Sequence, residues 1–202
     1  MNGEIVMHRN LSVLRKAIAA VIPVLVKEWN TVKLPAFERI YEQSFASLYK
    51  NRQTQEKTKA IAPLIDVMFA RLIKEYIPDF EIDETVGRDY TWGKEGWECK
   101  ITFGSGVGWT GNGYAKTSNH ILLRFTLTED GVMTEMFAAL TDLDDCKSNW
   151  TDPTNKSNFS TLAFLKEDED KLDVIIGDTK INSVYIKPIM CVVETDGLWT
   201  HI

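Results

Sequence analysis

The sequence is poor in the residues that build zinc clusters and disulfide frameworks. Among 202 residues there are three cysteines and three histidines. The cysteines, Cys99, Cys146 and Cys191, lie far apart, and no Cys-x-x-Cys or mixed Cys/His cluster is present. Both a zinc site of the usual ligand types and a disulfide-stabilised fold are therefore disfavoured. We accordingly expect a reducing, cytoplasmic setting.

Long apolar runs are also missing. The uncharged run 17–26 has ten residues, too few to span a bilayer. Arg15 and Lys16 precede it as in a signal peptide, but Lys27, Glu28 and Trp29 follow where small residues would mark a cleavage site. We therefore expect a buried helix here and no membrane partner.

An excess of positive charge is absent as well. The net charge of −6 argues against a protein that coats nucleic acid through many phosphate contacts. It leaves room for one local basic surface, because net charge does not describe its distribution. The apolar fraction of 44 % and the charged fraction of 26 % are typical of a folded globular protein. The length fits a single domain, 1–202.

The character of the chain changes near residue 80. Before it, apolar residues at helical spacing predict three helices within a helical part of about 1–79. The first is expected to be capped by Asn10 or Ser12 and to be kinked or divided at Pro23; the second runs over 35–50 and the third over 62–77.

From about 80 to 202 the sequence predicts strands. These segments are rich in β-branched and aromatic residues, with turns expected at 128–131 and 177–178. Two long polar loops are expected at 104–119 and 144–158. Helices followed by strands favour an α+β fold, with N-terminal helices packed on a mixed, largely antiparallel sheet.

The segment DYTWGKEGWECKITF, 89–103, carries the strongest chemical signal. Along its second half, Glu98 and Lys100 share one face of a predicted strand while apolar residues share the other. A hairpin turn at 94–96 is expected to bring Asp89 near Glu98. Two neighbouring carboxylates form a seat for a divalent cation, and Mg²⁺ prefers such oxygen ligands. The backbone carbonyl of Cys99 is a further candidate ligand.

With Mg²⁺ held by Asp89 and Glu98, Lys100 is expected to orient or deprotonate a water and to stabilise negative charge on a phosphate. The acid-x-lysine spelling alone is weak, because it recurs at Asp145/Lys147, Glu169/Lys171 and Asp178/Lys180. Only Glu98/Lys100 lies in the body of an amphipathic strand with an acid at hairpin distance before it. The competing interpretation is a salt-bridged decoration of a solvated sheet face.

Asp89, Glu98 and Lys100, in this order and spacing, resemble the PD-(D/E)xK nuclease superfamily, particularly the type II restriction endonucleases. The resemblance covers about residues 80–126, and it departs from the family's motif at Arg88, which replaces a proline that many members also lack. It implies a restriction-endonuclease-like core and a sequence-specific endodeoxyribonuclease that hydrolyses double-stranded DNA with Mg²⁺. It also implies a homodimer, for which the apolar N-terminal helix is a candidate surface.

Such an enzyme must also contact DNA. Amide, hydroxyl and lysine side chains suited to phosphates and base edges cluster in the two predicted loops. They are Lys116, Thr117, Ser118, Asn119 and His120 in the first, and Lys147, Asn149, Asn155 and Lys156 in the second. The candidates for an additional carboxylate are Glu38 or Glu42, for which an exposed helix face is the favoured interpretation, and Glu81, Asp83 or Glu84. The sequence does not choose among them.

Two alternatives stay open at this stage. One is a non-enzymatic, β-rich binding or interaction protein, and the other is a DNA repair nuclease that reads DNA structure. The glycine-rich segment GSGVGWTG lacks the following helix and the βαβ setting of a dinucleotide site, so no organic cofactor is expected.

Overall fold

In a computed structural model of the chain, residues 3–50, 54–83, 88–103, 108–112, 117–151, 159–180, 185–187 and 189–190 are described. Helix α1 spans Gly3–Glu28 and continues into a π-helix, Trp29–Lys33. Helices α2 (Leu34–Tyr41), α3 (Phe45–Leu48) and α4 (Thr54–Tyr76) follow. Among the described residues, no helix has the length and apolar character needed to cross a membrane.

The first predicted helix is correct in its core-facing stripe. Leu14, Ile18, Val21 and Leu25 are fully buried, as their spacing predicts. The expected caps and division are wrong, because α1 already begins at Gly3 and runs through Pro23 without interruption. Since the stripe packs within its own chain, only the exposed side of this helix, which includes Val13 and Val24, is left for the dimer surface proposed from the sequence, and that surface stays a prediction.

The second predicted helix, 35–50, is divided in the structure. Helix α2 ends at Tyr41 and is capped by Glu42, which adopts a left-handed conformation with φ 52°. Ser44 then caps α3 by accepting a hydrogen bond from the amide of Ser47. Ile40, near the end of α2, is 77 % exposed. Neither glycine nor proline occupies 42–44, so the usual signals of a helix end are missing.

The strands begin at Phe80, after the three residues that follow α4. They are β1 Phe80–Ile82, β2 Tyr90–Trp92, β3 Glu95–Phe103, β4 Gly108–Asn112, β5 Asn119–Leu127, β6 Met133–Asp142, β7 Phe159–Ala163, β8 Asp173–Ile176, β9 Asp178–Lys180, β10 Tyr185–Lys187 and β11 Ile189–Met190. Within the described residues, seven form one sheet in the order β1-β2-β3-β5-β6-β11, with β8 also paired to β6. The β3–β5 pair is parallel and the other pairs are antiparallel. The expected α+β fold with a mixed, mostly antiparallel sheet is confirmed.

Both faces of this sheet are covered. On one face, α1 and α4 bury a helix-side core that includes Phe69, Trp97 and Leu123. On the other face, the small β4–β7 sheet and neighbouring segments bury a second core. Its residues are Trp109, Leu122, Phe137, Ala139, Leu143, Leu162, Phe164 and Leu172. The central strands are therefore buried on two sides.

Strand β4 lies inside the segment predicted as a polar loop, 104–119. Its Trp109 is fully buried and donates a hydrogen bond from the indole N–H to the carbonyl of Leu123 at 3.0 Å. The loop prediction is therefore wrong at 108–112. The hairpin turn predicted at 177–178 is also wrong. The strands on its two sides, β8 and β9, do not pair with each other, because β8 pairs with β6 and β9 pairs with β10.

The turn at 128–131, by contrast, is confirmed and is attached to the helices. Gly131, with φ +82°, lies between β5 and β6. The Trp29 indole N–H donates to its carbonyl at 2.9 Å. Asn30 accepts from the amide of Met133 at 2.8 Å and donates to its carbonyl at 2.9 Å. The π-helix therefore fixes the start of β6 to the helical layer.

Candidate functional site

A tight hairpin brings the predicted first acid to the predicted catalytic strand. Strands β2 and β3 pair from Trp92↔Glu95 to Tyr90↔Trp97. The turn lies at Gly93 and Lys94, slightly earlier than predicted, and Gly93 adopts φ +64° there. The amide of Asp89 donates to the carbonyl of Trp97 at 3.0 Å. This bond continues the antiparallel ladder one step beyond β2 and sets Asp89 against the middle of β3.

The carboxylate of Asp89 then lies on the β2 side of β3, next to the residues of β3 that pair with β2. Its Oδ2 accepts a hydrogen bond from the backbone N–H of Cys99 at 2.7 Å. The N–H and C=O groups of one strand residue point to the same edge, so the Cys99 carbonyl faces this side as well. One carboxylate oxygen and one carbonyl oxygen thus lie on the same edge of β3.

Lys100 joins the two acids. Its Nζ lies 3.8 Å from Asp89 Oδ2 and forms a closer ion pair with Glu98 Oε1. Burial lowers the pKa of Lys100, but the negative charges of Asp89 and Glu98 outweigh it and raise the pKa above its ordinary value. The side chain is therefore an ammonium donor rather than a proton acceptor in this arrangement.

Glu98 is not a surface residue. It is only 4 % exposed, because the second core covers its side of β3. Burial raises the pKa of Glu98, while the charge of Lys100 lowers it. Within the described part of the chain, Glu98 Oε2 is buried without a hydrogen-bond partner. A buried carboxylate oxygen without a donor is costly unless a cation or water satisfies it.

These oxygens fit Mg²⁺ by their chemistry. The candidate ligands are the carboxylates of Asp89 and Glu98 and the carbonyl of Cys99, all hard oxygen donors. No group of three or more His, Cys, Asp and Glu side chains with metal-binding arrangement occurs among the residues that the structure describes. Mg²⁺ commonly takes only one or two carboxylates from a protein and keeps several waters, so two carboxylates are a sufficient set.

A third acid next to the site was missed by the sequence analysis. Asp66, on α4, accepts a hydrogen bond from the Tyr90 hydroxyl at 2.5 Å. Burial raises the pKa of Asp66, the Tyr90 hydrogen bond lowers it, and the charge of Asp89 raises it further. Asp66 is the only acid in the stretch 60–73, whose other residues are all apolar except Arg71, and that isolation was the available signal.

The acids proposed as additional ligands have other roles. Glu38 Oε1 accepts from the amide of Phe45 at 2.7 Å, and Glu42 forms the left-handed end of α2. Glu81 pairs with Lys74 at 2.7 Å. None of these contacts reaches Asp89 or Lys100.

Asp83, the next acid in that set, pairs with Arg88 Nε at 3.2 Å. Glu84 lies outside the described residues. Asp66 is close enough to Asp89 and Lys100 for both charges to affect its pKa.

The Tyr90–Asp66 hydrogen bond gives a first testable prediction. Tyr90→Phe removes the hydroxyl that the partly buried Asp66 carboxylate accepts, so we expect the free energy of unfolding to fall by about 1–3 kcal/mol. Urea denaturation measures this change. Tyr76→Phe, at a tyrosine that is 52 % exposed, is the matched control and should leave the midpoint unchanged. Equal midpoints for the two variants would contradict the role given to this bond.

Three of the predicted DNA contacts are engaged within the chain. Thr117 Oγ1 donates to the carbonyl of Gly96 at 2.7 Å, and the Asn119 amide donates to the same oxygen at 3.4 Å. The Ser118 carbonyl accepts from the amide of Leu143 at 2.9 Å. These bonds fix the start of β5 beside the start of β3. All three residues are partly exposed, so their contact with DNA stays a prediction.

His120 does not fit its predicted role. It is fully buried, and it lies opposite Glu98 in the parallel β3–β5 register. Its Nδ1 lies 2.8 Å from the Ser118 carbonyl, and its Nε2 accepts from the Trp150 indole N–H at 3.0 Å. Burial lowers the pKa of His120 to about 4, so the ring is neutral near pH 7. The DNA contact is replaced by a structural role beside the site.

The second predicted loop is described up to Thr151. Lys147 and Asn149 are exposed, as a DNA contact requires, and Lys147 Nζ lies 3.8 Å from Glu167 Oε2. The loop is fixed at Asp168, which accepts from the amides of Lys147 and Ser148 and from the Ser148 hydroxyl. The predicted contacts Lys116, Asn155 and Lys156 lie outside the described residues.

Comparisons with known proteins add no relative. No protein-family model matches the chain, and no curated protein or solved structure matches it. The functional proposal therefore rests on the geometry of the described residues.

Proposed function

We propose that this chain is a Mg²⁺-dependent endodeoxyribonuclease that hydrolyses phosphodiester bonds in double-stranded DNA. One observation carries the proposal: the side chains of Asp89, Glu98 and Lys100 converge beside β3, where a buried oxygen of Glu98 has no hydrogen-bond partner among the described residues. Surface decoration of a sheet is a poorer account, because Glu98 is 4 % exposed. Burying an acid is costly, and a catalytic site is a reason to retain it.

Each residue of the site has a separate role in this proposal. Asp89, Glu98 and the Cys99 carbonyl would hold the cation. When bound, Mg²⁺ supplies Lewis-acid stabilisation of phosphate charge and lowers the pKa of water. Lys100, as an ammonium, donates to a water or to a phosphate oxygen and stabilises the negative charge that develops there. Asp66 adds a third negative charge from the helical layer.

The finer assignment is a type II restriction enzyme acting on a specific duplex sequence. It is supported by the exposed Lys147 and Asn149 on the segment that follows β6, and by the partly exposed Thr117, Ser118 and Asn119 before β5. The segment before β5 contacts β3 at Gly96, and the amide of Leu143, directly after β6, donates to Ser118. A homodimer is part of this proposal, because two-fold symmetric sites are read by two-fold symmetric proteins. The buried stripe of α1 is not its interface.

The proposal predicts cation-dependent cleavage by the wild-type protein. Plasmid and linear duplex DNA incubated with purified protein and Mg²⁺ should be cut, and addition of EDTA should stop the reaction. Discrete bands would support sequence specificity, and a smear or cleavage only at branched DNA would favour a structure-reading nuclease. Intact DNA at all Mg²⁺ concentrations tested, with a folded protein, would contradict the proposed function.

A further inference from the structure

Trp150 approaches the candidate catalytic lysine from a distant part of the chain. Fifty residues separate it from Lys100, yet Lys100 Nζ lies 6.0 Å from the centroid of the Trp150 ring. An ammonium at this distance from the face of a tryptophan is attracted by the ring's quadrupole. The sequence analysis did not single out Trp150.

The orientation of this ring is fixed by buried groups. The Trp150 indole N–H donates to His120 Nε2, and the two rings lie 5.9 Å apart at 36°. Indole nitrogen is a donor only, so Nε2 must be the acceptor and Nδ1 must carry the proton toward Ser118. His120 is itself fully buried on the strand beside Glu98. The backbone of Trp150 also forms a β-bridge with Leu162, at the second core.

We propose that Trp150, oriented by His120, is a positioning residue that holds the Lys100 ammonium at the phosphodiester. This inference rests on the proposed nuclease function. Lysine has a long, flexible side chain, and its two ion pairs here are with the acids that would bind the cation. A bound cation competes for those acids. It does not compete for the aromatic face of Trp150, which therefore keeps the ammonium in place when the carboxylates are occupied.

A pair of substitutions at Trp150 distinguishes an effect of its aromatic face from an effect of its apolar volume. Trp150→Phe keeps an aromatic face and loses the indole N–H, whereas Trp150→Leu keeps apolar volume and loses the face. Under single-turnover conditions we expect Trp150→Leu to lower the cleavage rate about 5- to 30-fold and Trp150→Phe by no more than about 3-fold. The DNA dissociation constant should stay near the wild-type value in both variants. The urea midpoint should fall in both by a similar amount, because each variant leaves the buried Nε2 of His120 without its donor. Trp92→Leu, at a half-buried tryptophan of β2, is the control and should leave the rate unchanged.

A second measurement does not depend on cleavage. In protein labelled with ¹³C-lysine, the Hε signal of Lys100, assigned from its loss in Lys100→Arg, should shift on Trp150→Leu and not on Trp92→Leu. An unshifted signal would overturn the proposed contact. Equal cleavage rates for Trp150→Leu and Trp150→Phe would also overturn it, as would a loss of DNA affinity without a loss of rate, which indicates base stacking by Trp150 instead.

A different outcome is possible: the Lys100 signal shifts on Trp150→Leu, but the wild-type protein does not cleave DNA with Mg²⁺. That result contradicts the nuclease function and with it the catalytic purpose given to Trp150, while the contact itself stands. A wild-type protein that cleaves, with Trp150→Leu unaffected, contradicts the positioning role alone.

Discussion

Lys100→Ala and Asp89→Asn are each expected to lower the single-turnover cleavage rate by about 100-fold or more, the scale seen when a group that stabilises developing charge is removed. Lys100→Ala removes the ammonium that pairs with both acids. Asp89→Asn removes the negative charge but keeps a carbonyl oxygen in place of the one that accepts from the Cys99 amide. The asparagine variant is therefore the one designed to preserve the hairpin.

The control for this pair is Lys171→Ala. Lys171 belongs to another acid-x-lysine sequence, lies in a short 3₁₀ segment at 166–171 and has a side chain that is 43 % exposed. It should retain full activity. A quenched-flow time course at saturating protein and Mg²⁺ measures the rate, and a urea midpoint for each variant checks the fold. Wild-type rates in a folded Asp89→Asn protein would remove Asp89 from the site.

Asp168→Ala is expected to lower the free energy of unfolding by about 3 kcal/mol, because it leaves the amide of Lys147 and the buried amide and hydroxyl of Ser148 without their charged acceptor. Asp168 is only 3 % exposed, and the Ser148 hydroxyl that donates to it also accepts from the amide of Leu165 at 2.8 Å. The same segment carries Trp150, so the cleavage rate should fall with stability. Asp170→Ala, with a side chain that is 76 % exposed, is the matched control.

The effect of Asp168 should depend on pH. Burial raises the pKa of Asp168, but the hydrogen bonds from Ser148 and from the amides of Lys147 and Ser148 hold it below its ordinary value. A carboxyl with a depressed native pKa stabilises the fold fully above its unfolded pKa of about 3.9 and loses that contribution as pH falls through the native pKa. The stability difference between wild type and Asp168→Ala should thus be constant from pH 6 to 8 and shrink below about pH 4. A difference that is the same at pH 3 and pH 7 would contradict this assignment.

The parts of the site that the sequence predicted are those governed by strand periodicity. Glu98 and Lys100 were placed on one face because side chains alternate, and the structure buries Trp97 and Cys99 on the other. Asp89 was placed by hairpin distance, which the β2–β3 pairing satisfies. These features depend on residues within fifteen positions of one another.

The parts that the sequence missed depend on how separate elements pack. Asp66 reaches the site because α4 lies against β1 and β3, and helical spacing does not state which residue faces a given strand edge. His120 was assigned to DNA because the glycine-rich segment before it looked like a loop. Strand β4 in that segment, with buried Trp109, covers the face on which His120 and Glu98 lie. The burial of Glu98 and His120 could therefore not be predicted from the local sequence.

The attachment of the π-helix to the β5–β6 turn has a consequence for how the chain folds during synthesis. Trp29 and Asn30 bond to Gly131 and Met133, residues more than one hundred positions later. Contacts at such separation form slowly, because the chain loses the entropy of a long loop before the contacts stabilise it. Until Met133 has left the ribosome, the apolar stripe of α1 lacks the strand on which it packs. Nascent chains shorter than this length are expected to be the ones that engage chaperones, and release should coincide with the appearance of β6.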